Sequence, residues 1–218
     1  MTTPDAPWTL GGEALVALAR RPSSSPALPM GLHRLPGPLL IVGACYESSP
    51  VGPYLELAVG EPARLGLRPG WCFTTMVVDS PESRRAGRIS WGLPKEVGRL
   101  TWRRDGDERE LRWAERDIVV RGQPHGVPLP GLFPLRALQR RADGPVVAPG
   151  RLRGRAHVAS VRLVAPAADP LAGIAGVHPG AHLTSMRLVL RPARHPVGLT
   201  STLRAPLRAP EPALSSCR

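Results

Sequence analysis

The chain has 218 residues, 42% hydrophobic and 4% aromatic, which allows one substantial core of ordinary globular make-up. Its formal charge of +12 raises nucleic acid as a partner. The arginines, however, are scattered singly or in pairs among acids, as in Arg103-Arg104-Asp105-Gly106-Asp107-Glu108, and no zinc-finger, helix-turn-helix or aromatic-basic RNA pattern is present, so no nucleic-acid partner is expected.

No apolar run approaches the ~18 residues of a membrane span, and the N-terminus lacks a basic and an apolar leader region. A cytoplasmic protein without membrane contact is expected. Cys45, Cys72 and Cys217 are widely spaced and odd in number, which fits a reducing compartment.

Residues 1–12 are polar and rich in Pro and Gly, and read as an N-terminal arm. Glu13–Arg20 is a strand or a short helix, and Arg21–Pro29 a loop. The turn Pro36-Gly37-Pro38 launches a buried strand, Leu39–Tyr46. Tyr54–Leu65 is a strand in which Tyr54, Glu56 and Ala58 share one face and Leu55, Leu57 and Val59 the other. On the pattern alone Glu56 is either a solvent-face residue or a pocket residue.

Trp71–Asp79 is a strand. Ser80-Pro81-Glu82 then starts a helix, with a serine cap, proline at the first helical position and an acid in the first turn; it runs to Ser90 and Gly92 ends it. Val97–Arg103 and Glu108–Glu115 form a hairpin across Asp105-Gly106-Asp107, with Leu100 and Trp102 facing Leu111 and Trp113. Asp117–Arg121 is a short strand, and residues 122–134, with four prolines, read as loop. Arg151–Ala165 is a long strand with Arg151, Arg153 and Arg155 on its wet face. Asp169 caps a short helical turn, Ala181–Leu190 is the final strand, and residues 200–218 read as a disordered tail behind one domain spanning 1–199.

Of 29 basic residues, Lys95 is the single lysine. A guanidinium keeps its proton in a protein, whereas a desolvated ammonium can lose it and attack a carbonyl. The count alone fits either a reserved amine or a coding bias against lysine. The setting favours the amine: Trp91-Gly92-Leu93-Pro94 is an apolar, stiff approach that would hold position 95 away from water. The six histidines show no HxH or HxxxH spacing, and GxSxG, P-loop and GxGxxG motifs are absent, so neither a metal nor a cofactor is expected.

Gly87-Arg88 followed by Trp91-Gly92-Leu93-Pro94-Lys95 resembles the lysine segment of the acetoacetate decarboxylase family. Pro50-Val51-Gly52-Pro53-Tyr54-Leu55-Glu56-Leu57 resembles the family strand that carries a glutamate two residues after a tyrosine, and Glu56 lies 39 residues before Lys95, the family's interval. Weaker similarity runs from about residue 38 to 195. The resemblance implies a mainly β protein: an antiparallel, closed or cone-like β-barrel with a few short helices, assembled as a homo-oligomer.

It also implies Lys95 as the Schiff-base nucleophile, Glu56 as the acid/base group, and a pocket for a keto acid or ketone that includes Tyr54, Arg88, Trp91 and Leu93. The expected reaction is decarboxylation of a β-keto acid. Aldol condensation with dehydration, hydration or cyclisation through the same iminium is an alternative, and a non-catalytic ligand binder is a third reading. Three positions depart from the family: Glu96 stands where a second lysine follows the first, Leu10-Gly11-Gly12-Glu13 contains no substrate-binding arginine, and a second carboxylate position falls on Ile41. Without the second lysine, burial must bring the Lys95 amine from its ordinary ~10.4 to near 7.

Overall fold

A computed structural model describes residues 4–23 and 25–196. Eleven strands form one sheet: β1 (Trp8–Ala19), β2 (His33–Arg34), β3 (Leu39–Ser48), β4 (Tyr54–Leu65), β5 (Arg68–Val78), β6 (Lys95–Val97), β7 (Leu100–Asp105), β8 (Glu108–Trp113), β9 (Ile118–Arg141), β10 (Gly144–Val164) and β11 (Gly176–Leu190). The one α-helix, α1 (Pro81–Trp91), lies between β5 and β6. The strand order is β6-β5-β4-β3-β1-β11-β10-β9-β8-β7, with β2 on β4. Neighbours pair antiparallel except β6 on β5 and a short parallel contact of β5 with β9, Trp71 against Ala137.

That last contact joins the ends of the path β5-β4-β3-β1-β11-β10-β9, so these seven strands enclose an interior. The buried Gln139 amide reinforces the join by donating to Phe73 O at 3.1 Å. Interior side chains come from alternate positions of each strand, such as Leu40, Val42 and Ala44 on β3 and Tyr54 and Ala58 on β4. The intervening residues, among them Ile41, Leu57 and Val59, face outward. There the β7–β8 hairpin and the first part of β9 cover them with Leu111, Trp113, Ile118 and Val120. Each such fully buried Leu or Ile contributes roughly 1.5–3 kcal/mol of hydrophobic stabilisation.

Several expected elements are where the sequence puts them. Leu100 pairs with Trp113 and Trp102 with Leu111. Helix α1 begins after the Ser80 cap, whose Oγ accepts from Ser83 N. It ends at Gly92, whose φ of 68° is in the left-handed region. A side chain there would also sit 2.7 Å from Arg140 O, so glycine is needed twice over.

Other elements differ. The first strand starts at Trp8, so the later part of the expected arm is sheet, paired with β11 and β3. Residues 122–134 are strand, not loop. Beyond Gly122 the chain leaves β8 and pairs only with β10 until it nears β5, so a proline N–H is missing only where no second neighbour needs it. Strand β10 runs through Gly154, where its register against β11 shifts. The tail from 200 onward lies outside the described residues. No helix among the described residues is long and apolar enough to cross a membrane.

Candidate active site

Lys95 opens β6, where its backbone pairs beside Met76 of β5. The turn before it is rigid: Leu93 N donates to Gly87 O at 3.1 Å and Lys95 N to Leu93 O at 2.8 Å. The lysine side chain then runs along α1. It can do so because the helix presents Ser83, Ala86 and Gly87 as its buried face. A β-carbon on Gly87 would meet Lys95 Cδ at 2.7 Å and Cε at 3.0 Å. The Gly87 of the sequence motif therefore has a packing reason: it is the floor on which the lysine lies.

At its tip the amine is 4% exposed as a residue and triply engaged. Nζ pairs with Glu56 Oε2 at 2.7 Å and donates to Ser83 Oγ at 2.9 Å. It also stands 5.0 Å from the centre of the Tyr54 ring. Glu56 is brought there by the β4 alternation that the sequence predicts, and Tyr46 OH donates to its other oxygen at a long 3.4 Å. Glu56 is thus a pocket residue and not a solvent-face one.

The expected fall in the lysine's proton affinity is not what the structure holds. Burial pulls the Lys95 ammonium down, but the Glu56 carboxylate and the Tyr54 phenol beside it outweigh that and hold it above its ordinary value. Burial raises the phenols of Tyr46 and Tyr54 as well, so both remain neutral donors at pH 7. Glu56 Oε2, at 2.7 Å, is within proton-transfer distance of the ammonium, and an exchange between them would leave two uncharged groups in an apolar site.

The pair opens on a cavity of about 420 Å³ in the sheet interior. Tyr54, Trp91 and Leu93 line it with Lys95 and Glu56. Trp91 is fixed there by donating from Nε1 to Arg191 O at 2.8 Å and by an edge contact with Trp8, ring centres 5.2 Å apart.

The family model described as acetoacetate decarboxylase (ADC) matches residues 16–119, the part that holds Glu56 and Lys95. In fold this chain is acetoacetate decarboxylase-like. Among solved structures it is similar in fold to acetoacetate decarboxylase of Legionella pneumophila, with a TM-score of 0.65 and 17% identity over 89% of each chain. The enduracididine biosynthesis enzyme MppR gives 0.64 and 16%, covering 89% of this chain and 88% of the other. An acetoacetate decarboxylase-like enzyme from Sphingomonas wittichii RW1 gives 0.59 and 16%, covering 87% and 92%. Curated proteins compared by sequence gave no match.

One expected pocket residue of this acetoacetate decarboxylase-like fold is elsewhere. Arg88 is exposed on the outer side of α1 and borders a more open cleft of about 1010 Å³ with Arg140 and Arg141, not the cavity that holds Lys95. At roughly 100° per residue, Arg88 falls past the edge of the buried face that Ser83, Ala86 and Gly87 form. Ile41 likewise faces the outer layer, and the cavity wall on β3 is Leu40 and Val42. Glu96 is exposed and directed away from Lys95, as an extended segment requires. Sequence reasoning missed Ser83 and Tyr46. Ser83 carried a signal in the small-residue spacing 83, 86, 87 on an otherwise Arg-rich helix; Tyr46 carried one as the cross-strand partner of Tyr54.

Proposed function

We propose that Lys95 forms a Schiff base with a ketone substrate, that Glu56 moves the protons of that step, and that the iminium is used to decarboxylate a β-keto acid. What supports this reading above all is the 2.7 Å Lys95–Glu56 pair, buried and facing an apolar cavity. Glu56 takes a proton from the ammonium, and the freed amine attacks the carbonyl carbon to give a carbinolamine. Glu56 returns the proton to the departing hydroxyl, water leaves, and the protonated iminium remains with a carboxylate beside it.

The bond to the substrate carboxylate then breaks. Its electron pair forms a carbon–carbon double bond, the iminium pair moves to nitrogen, and CO2 departs. A proton drawn from solvent through Glu56 converts the enamine to an iminium, which water hydrolyses. The apolar walls favour this direction, since they solvate CO2 better than a carboxylate. Ser83 holds the amine on its line of attack, and Tyr46 does the same for Glu56.

A second reading uses the same iminium for aldol condensation and dehydration. It is favoured by the absence, among the described lining residues, of any cation besides Lys95 to grip a substrate carboxylate. It is supported too by the fold likeness to MppR, a structure of which holds the condensation product of pyruvate and imidazole 4-carboxaldehyde. Under either reading the protein works as a homo-oligomer in the cytoplasm, and exposed Val127, Leu129, Leu132 and Phe133 of β9 offer an apolar contact surface.

The test is α-hydrogen exchange of a ketone in D2O, followed by NMR, together with CO2 release from β-keto acids. Wild type should catalyse the exchange, while Lys95→Arg should not. Exchange that survives Lys95→Arg sinks the Schiff base. CO2 release separates decarboxylation from condensation.

A further inference from the structure

The cavity says what kind of body the substrate has. Its walls come from every strand of the enclosing ring, including Leu10 of β1, Val42 of β3, Phe73 of β5, Leu152 of β10 and Leu183 and Leu188 of β11. Among its described lining residues, Lys95 and Glu56 are the only groups that are charged at neutral pH, and they neutralise each other. The lining indoles of Trp8 and Trp91 spend their N–H groups on Pro4 O and Arg191 O. Apart from the third lining indole, Trp71, and the tyrosines beside Glu56, then, the wall offers little that could pair with a polar substrate.

A space of about 420 Å³ is far more than a four-carbon keto acid fills. At the ~30 Å³ that a water molecule occupies in the liquid, it accepts about 14 non-hydrogen atoms. A second charged group placed among these walls would be stripped of water without a partner, which is costly. A hydrocarbon body gains with each methylene buried.

We propose that the substrate is a carbonyl compound with an uncharged hydrocarbon body of about ten carbons: a medium-chain or ring-bearing β-keto acid whose single carboxylate lies beside the Lys95 iminium, and not a small keto acid such as acetoacetate or pyruvate. This rests on the Schiff-base reading for its carbonyl end and on the cavity for its body.

Two series separate those parts. Secondary 2-alkanols cannot form an iminium, so their binding by calorimetry reads the body alone. Affinity should rise about three- to fourfold per added methylene, level off near ten to twelve carbons, and fall at least hundredfold when a carboxylate replaces the terminal methyl. Borohydride trapping of 2-alkanones on the protein should follow the same length profile. The bulkier Ala156→Phe variant should shorten the longest alkanol accommodated; if it does not fold, Ala181→Val tests the same wall.

Affinity indifferent to length, or tighter for the carboxylate-tipped alkanols, overturns the proposal while leaving the Schiff base standing if short ketones are still trapped. A rising alkanol series with no ketone trapped overturns the Schiff-base reading and leaves the apolar ligand class intact.

Discussion

Two buried glutamates sit on opposite faces of the same sheet, and their surroundings could hardly differ more. Glu13 of β1 lies on the outer face, where its carboxylate accepts from His182 Nε2 at 2.7 Å, Trp102 Nε1 at 3.0 Å, Arg104 Nε at 2.5 Å and Arg109 Nε at 3.1 Å. Burial pushes its carboxyl up, but those four donors prevail and bring it to about 2. Each donor ties the β7–β8 hairpin or β11 to β1. Glu56, on the inner face, has one ammonium, one distant tyrosine and a cavity in front. A carboxylate whose lone pairs are all engaged by fixed donors can only hold structure. One with a single exchangeable proton partner and space beside it can move a proton.

The largest effect expected is on the inner pair. Lys95→Met should lower ketone α-exchange at least ~1000-fold, whereas Glu13→Gln should leave the rate per folded molecule near wild type. An equal loss in both would erase the distinction. On the outer face, Glu13→Ala should cost about 3 kcal/mol in urea unfolding, because it strands the buried donor of His182 and the half-buried one of Trp102.

The pH dependence carries the same contrast. Glu13 is depressed from 4.5 to about 2, so its contribution, on the order of 3 kcal/mol, is present above 4.5 and lost as pH falls toward 2. Glu13→Gln should flatten that acid limb. Lys95 is raised, so its contribution is present below 10.5 and lost as pH climbs through its higher folded value. Lys95→Met should flatten that alkaline limb instead. Exchanged phenotypes would contradict the assignment.

Gly87→Ala sharpens the comparison further. Alanine favours the helix by up to ~1 kcal/mol, yet its methyl displaces the lysine stem. Activity should fall up to ~100-fold with the melting temperature unchanged or raised. The smallest effect belongs to Ser83→Ala, which removes one hydrogen bond to Nζ and should slow exchange about five- to tenfold, near 1 kcal/mol. A loss as large as that of Lys95→Met would mean that Ser83 does more than position the amine.

Much of the inner site could be read from residues alone because its determinants are local. The period of two along Tyr54, Glu56 and Ala58 puts them on one face, which the family resemblance and not the pattern made the pocket face, and Ser80-Pro81 with Gly92 fixes the helix that delivers Lys95. What escaped the sequence depends on distant pairing. The prolines of 122–134 suggest a loop until β10 is seen to satisfy one edge and nothing the other. The outward Arg88 follows from a helix phase that the neighbouring motif residue alone does not give. The proton affinity of Lys95 depends on a carboxylate 39 residues away meeting it at 2.7 Å, a distance that spacing in sequence does not contain.

The most direct measurement is to incubate the full chain with 2-nonanone and sodium borohydride, digest it, and locate the adduct by mass spectrometry. The account predicts one ketone-derived mass increment per chain, on Lys95, slowed but still at Lys95 in Glu56→Gln and absent in Lys95→Arg. An adduct at the N-terminal amine alone, with Lys95 unmodified after prolonged reduction, would contradict it.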